Sequence, residues 1–173
     1  MIEEQKEKSI NEEEPERTIK NGKDITEFVI FNKNGSIKKP FDSKIRNHIK
    51  DNYKIITLGT DPYIYYNGVY SNNLDIEISK EKTENITGTN LINREIEKLI
   101  PEELITVHNR TNIRKLILED TFFSDQELAD KMNNYPDHYI SFANGMYNLK
   151  TGQLEKHDRN YYCFNQKPHS IDP

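Results

Sequence analysis

The chain has 173 residues, 34% of them hydrophobic and 31% charged, with a formal net charge of -5 and a mean hydropathy of -0.92. That length suits one modest domain with a small core, and no stretch approaches the roughly 18 consecutive apolar residues of a membrane span. The single cysteine, Cys163, excludes an intrachain disulfide and a cysteine-based zinc site. The acidic start "MIEEQKEKSI" lacks the basic-then-apolar order of a signal peptide, so a cytoplasmic protein with no membrane partner is expected.

In chain order, residues 1–24 are rich in Glu, Lys and Asn and place Ile2, Ile10 and Ile19 too far apart to form a stripe. They bury too little apolar surface to offset their ordering entropy, and a disordered acidic tail is expected, followed by one domain over residues 25–173. "EFVIF" has strand composition, and Asn34-Gly35 turns the chain toward "SIKKPFD". In "FDSKIRNHIKDNY", Ile45 and Ile49 lie four apart behind a cap at Asp42 or Ser43, with Phe41 as a hydrophobic staple, which predicts a short helix.

"KIITLGTDPYIYYNGVYS" reads as a strand, a turn and a hairpin closed by Asn67-Gly68. The polar run "SNNLDIEISKEKTENITGTN" predicts a strand or an irregular connection. "NLINREIEKLI" predicts a helix capped by Asn90 and stopped by Pro101, with Ile92, Ile96, Leu99 and Ile100 on one face. A further helix is expected from about Thr111 to Phe122. Ser124 and Glu127 then form the capping box of a fourth, which ends before Pro136. In "YISFANGMYNLKTGQLEKHD", Asn144-Gly145 and Gly152 mark two reversals of a three-stranded meander, the first read as a tight turn with positive φ. The expected class is α+β: a small antiparallel sheet built from Asn-Gly hairpins, packed with three to four short helices.

Charge is unevenly placed. Residues 1–17 hold seven acidic and three basic residues and so carry -4 of the net charge, while residues 33–54 hold seven basic and two acidic residues, a local +5. No Gly-rich loop carries the G-x-x-x-x-G-K-[ST] pattern needed to surround nucleotide phosphates. The five histidines show no metal-binding spacing, no nucleophile is identifiable near His157, and no catalytic residue, metal or cofactor is expected. A small nuclease or phosphotransferase is disfavoured on the same ground.

What remains is Lys38, Lys39, Lys44, Arg46, Lys50 and Lys54 as candidate phosphate contacts, with Tyr63, Tyr65, Tyr66 and Tyr70 on the adjoining hairpin as candidate stacking platforms for bases, Tyr65 and Tyr66 foremost. The alternative for the cations is the wet face of an amphipathic helix. For the tyrosines it is a hairpin core with hydroxyls at the rim. Asn67, Gly68, Asn144, Gly145 and Gly152 are read as structural turn residues.

The layout resembles the domain that precedes the superfamily 3 helicase in phage and plasmid primase-helicases, with a counterpart in poxvirus primase-helicases. The residues that carry the likeness are Tyr65, Tyr66, Asn67, Gly68, Val69 and Tyr70, then Asn144, Gly145, Tyr147, Leu149, Thr151, Gly152, Leu154 and His157, then Ile171-Asp172-Pro173. The resemblance implies a non-catalytic accessory domain that sits as a collar beside a hexameric motor, assists its assembly and guides DNA. Its implied partners are single-stranded or forked DNA bound weakly, the helicase domain of the same or a longer chain, and further copies of itself. The motor of that family lies beyond this sequence, so a domain cut from a longer replication protein, or encoded alone, is expected. The rival reading is a stand-alone regulatory module in which the acidic tail engages a protein partner.

Overall fold

Isoleucine-bearing helix faces set the centre of the molecule, for which the computed structural model describes residues 17–79, 82–133 and 137–172. The architecture is α+β, with four helices and five small antiparallel sheets among the described residues. The helices are α1 (Asp42–Asn52), α2 (Gly88–Leu99), α3 (Val107–Asp120) and α4 (Asp125–Asn133). Ile45 and Ile49 from α1, Leu91, Ile92 and Ile96 from α2, and Ile113 and Ile117 from α3 meet in one buried cluster. Their three- and four-residue spacings put each set on a single helix face, and that burial is what holds short helices together in water.

The strands fall into separate hairpins and meanders rather than one continuous sheet. In chain order these are β1 (Ile19–Lys20) with β2 (Lys23–Asp24), then β3 (Val29–Phe31) with β4 (Ile37–Pro40). Next come β5 (Ile55–Leu58), β6 (Asp61–Tyr66) and β7 (Val69–Ser71), and then the hairpin of β8 (Asn73–Ser79) with β9 (Lys82–Thr87). The meander of β10 (Tyr139–Phe142), β11 (Gly145–Asn148) and β12 (Gln153–Glu155) comes last. β8 and β9 resolve the polar run in favour of a hairpin: Leu74 and Ile86 pair across it into the core, and the Asn85 amide donates to Asp75 at 2.9 Å.

The expected extent of the acidic tail needs correction. Residues 1–16 lie outside the described residues, but β1 and β2 order the stretch assigned to the tail's end. The cause is Lys20, whose ammonium donates to the carbonyls of Glu97 (2.7 Å) and Ile100 (2.9 Å) and pairs with Glu102 at 2.9 Å. The last carbonyls of a helix lack intrahelical partners and favour a cation, so Lys20 caps α2 from a distant part of the chain.

Helix starts also shift. Thr87 caps α2 by accepting from Asn90 N–H, Thr106 caps α3 in the same way through Asn109 N–H, and Phe41 occupies the cap position of α1 with no side-chain bond. Each of the two threonines precedes the residue where an apolar stripe starts, so periodicity alone places the helix start too late. Ser124 and Glu127 form the reciprocal capping box expected for α4, with Ser124 N–H donating to Glu127 at 2.9 Å and Glu127 N–H to Ser124 Oγ at 3.2 Å. The expected end of this helix before Pro136 falls outside the described residues.

The hairpin between β10 and β11 turns one residue earlier than its Asn-Gly dipeptide predicts. Phe142 pairs with Gly145, so Ala143 and Asn144 make the loop and Gly145 belongs to the strand. Gly145 keeps the positive φ expected of it, at 157°, whereas Asn144 does not, and a Cβ at Gly145 would also overlap the carbonyl oxygen of Glu155 on β12. Asn144 instead holds the last described segment, donating to Ile171 O (2.8 Å) and accepting from Ile171 N–H (3.1 Å). Upstream of that clamp, Lys167 N–H donates to Ser141 O and Ala143 N–H to His169 O, so residues 167–171 run along the free edge of β10.

Because the obstruction at Gly145 is backbone, Gly145→Ala is expected to destabilise the domain by about 1–3 kcal/mol. Gly152→Ala, where only the Tyr147 hydroxyl lies near the added carbon, costs about 1 kcal/mol for its left-handed backbone. Thermal melts of the two variants read the difference, and an unchanged melting temperature for Gly145→Ala would refute the close approach of β12.

Candidate nucleic-acid interface

α1 turns Ile45 and Ile49 inward and its cations outward, but the cations do not share one face. Arg46 and Lys50, one turn apart, converge on Asp120 at the end of α3: Arg46 Nε lies 3.3 Å and Lys50 Nζ 2.9 Å from Asp120 Oδ2. The hydrogen bond from Lys50, with the charges of Lys50 and Arg46, holds the Asp120 carboxyl below its usual range. Lys44 points elsewhere, 4.0 Å from Glu27. Lys38 and Lys39 on β4 and Lys54 beyond the helix are exposed and form no ion pair among the described residues. They flank a helix about 16 Å long at about 1.5 Å per residue. The basic segment is therefore two open ends around a middle that carries its own counter-ion.

Tyr65 and Tyr66 are engaged by protein. Tyr65 faces Tyr70 across the β6–β7 pair, with ring centroids 5.2 Å apart, and burial raises its pKa. Tyr66 packs against the hydrophobic core. Asn67 and Gly68 take positive φ, 47° and 90°, at the hairpin turn. The opposite side of Gly68 is filled by the His157 imidazole, which a Cβ would meet at 2.6 Å. The Gln166 amide lies 3.3 Å from His157 Nε2 and donates to Asn67 O at 2.9 Å, so the first hairpin, the end of the meander and the C-terminal segment close on one another here.

Sequence reasoning missed an aromatic cluster assembled from distant segments. Tyr70 stacks on Tyr162, with rings 8° from parallel and centroids 5.7 Å apart. Phe164 approaches Tyr63 and Tyr70, and Phe123 meets Tyr162 edge-on at 5.9 Å. The Lys131 ammonium on α4 lies 5.4 Å from the Phe123 centroid and 5.6 Å from that of Tyr162. A cation at such a distance from ring faces is attracted by their quadrupoles. The run "YYCF" over residues 161–164 was the available signal, but nothing local ties it to Tyr70 or Phe123. Among the described residues, no three His, Cys, Asp or Glu side chains gather as a metal set, and no helix is long and apolar enough to cross a membrane.

Fold and site together define a small α+β domain whose two hairpin signatures lock onto each other through His157. The chain belongs to the D5 N terminal like family, whose profile matches residues 49–173; this is the N-terminal domain of D5-like primase-helicases, the domain that precedes the helicase in DNA-replication proteins. No curated protein matches the chain. Of the basic candidates only Lys50 and Lys54 fall within the matched residues, whereas both hairpin signatures and the whole aromatic cluster do.

Desolvation of the cluster has a measurable consequence. Burial, reinforced by Tyr162 and Tyr65, pushes the Tyr70 pKa from 10.0 up to about 12. A folded-state pKa above the unfolded one means that the stabilisation is complete below the unfolded value and is lost as pH rises toward the folded one. The melting temperature is therefore expected to fall between pH 10 and about 12, less steeply in Tyr70→Phe than in the parent. Parallel curves for the two proteins would show that Tyr70 contributes nothing to the alkaline loss.

Proposed function

We propose that this chain is a non-catalytic accessory domain of a phage or plasmid primase-helicase, acting in the cytoplasm of a host cell, where it assists helicase assembly and contacts DNA. The observation that carries the reading is the family match across residues 49–173. Its partners on this reading are the helicase domain, other copies of the chain, and single-stranded or forked DNA held weakly. Contact with DNA is electrostatic: Lys38, Lys39 and Lys54 meet phosphates directly, while Arg46 and Lys50 become available when a phosphate displaces Asp120. The domain performs no chemistry. Purified chain is expected to show no ATP turnover, and turnover abolished by a point mutation within it would overturn that statement.

Fluorescence anisotropy with single-stranded DNA across a salt series tests the DNA contact. A protein that neutralises four phosphates gives a log-log slope of roughly -3, and each lost contact flattens it by about 0.7. Asp120→Asn is expected to tighten binding and steepen the slope, because it removes the competing carboxylate and leaves both cations in place. The combined Lys44→Ala, Arg46→Ala and Lys50→Ala protein is expected to weaken binding and flatten the slope. If both proteins are folded and titrate like the parent, α1 takes no part in DNA contact.

A further inference from the structure

We propose that residues 1–16 dock on the cationic surface where β4 meets α1, which carries Lys38, Lys39 and Lys44, and compete there with DNA. This inference rests on the DNA reading only for what the acidic segment competes with; the contact itself joins two parts of one chain. Residues 1–16 hold seven acidic and two basic residues, a net -5, whereas residues 17–44 hold seven basic and three acidic residues, a net +4. Residues 17–173 as a whole carry no net charge, so the positive excess is concentrated in the part of the domain that directly follows the acidic segment.

Three observations favour this occupant. First, the point where the segment joins the domain is fixed beside that surface. Thr18 N–H donates to Thr26 Oγ1 and Ile25 N–H to Thr18 O, each at 2.8 Å, and Lys20 anchors the same strand to the end of α2. Glu27, one residue beyond Thr26, stands 4.0 Å from Lys44 Nζ, and Phe41 N–H, between β4 and α1, donates to Phe28 O at 2.8 Å. Second, the cations are open. Lys38 and Lys39 are exposed and form no ion pair among the described residues, and the Lys44–Glu27 pair is at the limit of ion-pair reach with both side chains more than half exposed. Of the other nearby acids, Asp24 accepts from Thr26 N–H at 2.9 Å, and Asp42 is part-buried, which raises its pKa. Third, the acids are placed to reach the surface: Glu12, Glu13, Glu14 and Glu16 stand within five residues of Arg17, and an extended chain covers about 3.3–3.6 Å per residue. A covalently attached ligand meets its site at an effective concentration on the order of millimolar, so exposed ion pairs too weak to hold separate molecules together are populated within one chain.

Glu12→Gln, Glu13→Gln, Glu14→Gln and Glu16→Gln are combined in isotope-labelled full chain, which removes four charges from the segment and none from the described fold. Backbone amide resonances are compared with the parent at about 0.1 M and about 1 M salt, between which the Debye length falls from about 10 Å to about 3 Å. The Lys38, Lys39 and Lys44 amides are expected to differ between the two proteins at the lower salt and to coincide at the higher. Lys115, whose side chain is 73% exposed on α3, is expected to stay unmoved at both. In the anisotropy assay at about 0.1 M salt, the variant is expected to bind single-stranded DNA on the order of fivefold more tightly, because the competing charge is gone. Lys38, Lys39 and Lys44 amides that coincide at both salts overturn the docking, and any gain in DNA affinity then comes from lost long-range repulsion alone. Amides that move while DNA affinity stays at the parent value overturn the competition with DNA. Amides that move in a chain to which no DNA binds leave the docking in place, and the DNA reading fails instead.

Discussion

The His157 imidazole occupies the space where any side chain on residue 68 would have to sit. The turn at Asn67-Gly68 therefore has to be glycine twice over, once for its backbone angle and once for its missing Cβ. This contact is one of several that join two packing centres, beside the Tyr70–Tyr162 stack and the approach of Phe164 to Tyr63. On one side lies the isoleucine cluster of α1, α2 and α3, and on the other the C-terminal meander, which buries the apolar Met146 with the polar Ser141 and Asn148. Gln166 reinforces the joint from His157 to Asn67 O, and Tyr70 N–H donates to Cys163 O at 2.7 Å beside it. Close packing of a ring against a backbone transmits displacement, since the backbone has no rotamer to yield and the Gln166 amide holds the ring in place. A change at the meander therefore reaches the first hairpin without an intervening flexible segment.

Much of the fold was legible because its determinants are local. The α2 stripe, the capping box at Ser124 and Glu127, and the meander over residues 139–155 all follow from spacing and turn chemistry within a few positions. The β8–β9 hairpin was not, because its apolar pairing is sparse and its partners are set by long-range contact with α2. Arg94 makes that contact with Glu84 through two bonds of 2.8 and 2.9 Å. The same limit moved the Asn144-Gly145 turn by one residue: the dipeptide specifies a reversal, but register is set by Tyr139 against Asn148 and Met146 against Ser141. Buried Asn148 then shapes the second reversal, accepting from Lys150 and Thr151 N–H and donating to Tyr139 and Glu155. No dipeptide rule identifies an asparagine satisfied in that way.

The candidate interface was legible by composition and not by geometry. Seven basic residues in a short stretch announce a positive segment, but composition is blind to Asp120, seventy positions beyond Lys50, which neutralises the middle of it. Exposed pairs of this kind contribute little to stability, because solvent screens them and two long side chains must be ordered to form them. Their main effect is on the electrostatic field of the surface rather than on the fold. A carboxylate held ionised between two cations lowers the positive potential of this face and keeps both side chains directed at one point.

Tyrosine content posed the converse problem, since ten tyrosines in a polar chain invite a stacking role for whichever of them lie nearest the basic segment. Proximity in sequence selected Tyr63, Tyr65, Tyr66 and Tyr70, and the fold gives all four protein partners. Tyr162 is engaged as well, with Tyr70 stacked on it and Phe123 and Lys131 against it, and what sets it apart is its left-handed backbone. Strain that survives in a small domain is compensated elsewhere in the fold, here by the Asp158 cap and the stack on Tyr70. That compensation draws on the same hairpin that His157 locks, so the placement of the Tyr162 ring and the integrity of the joint at Gly68 are one property of the structure.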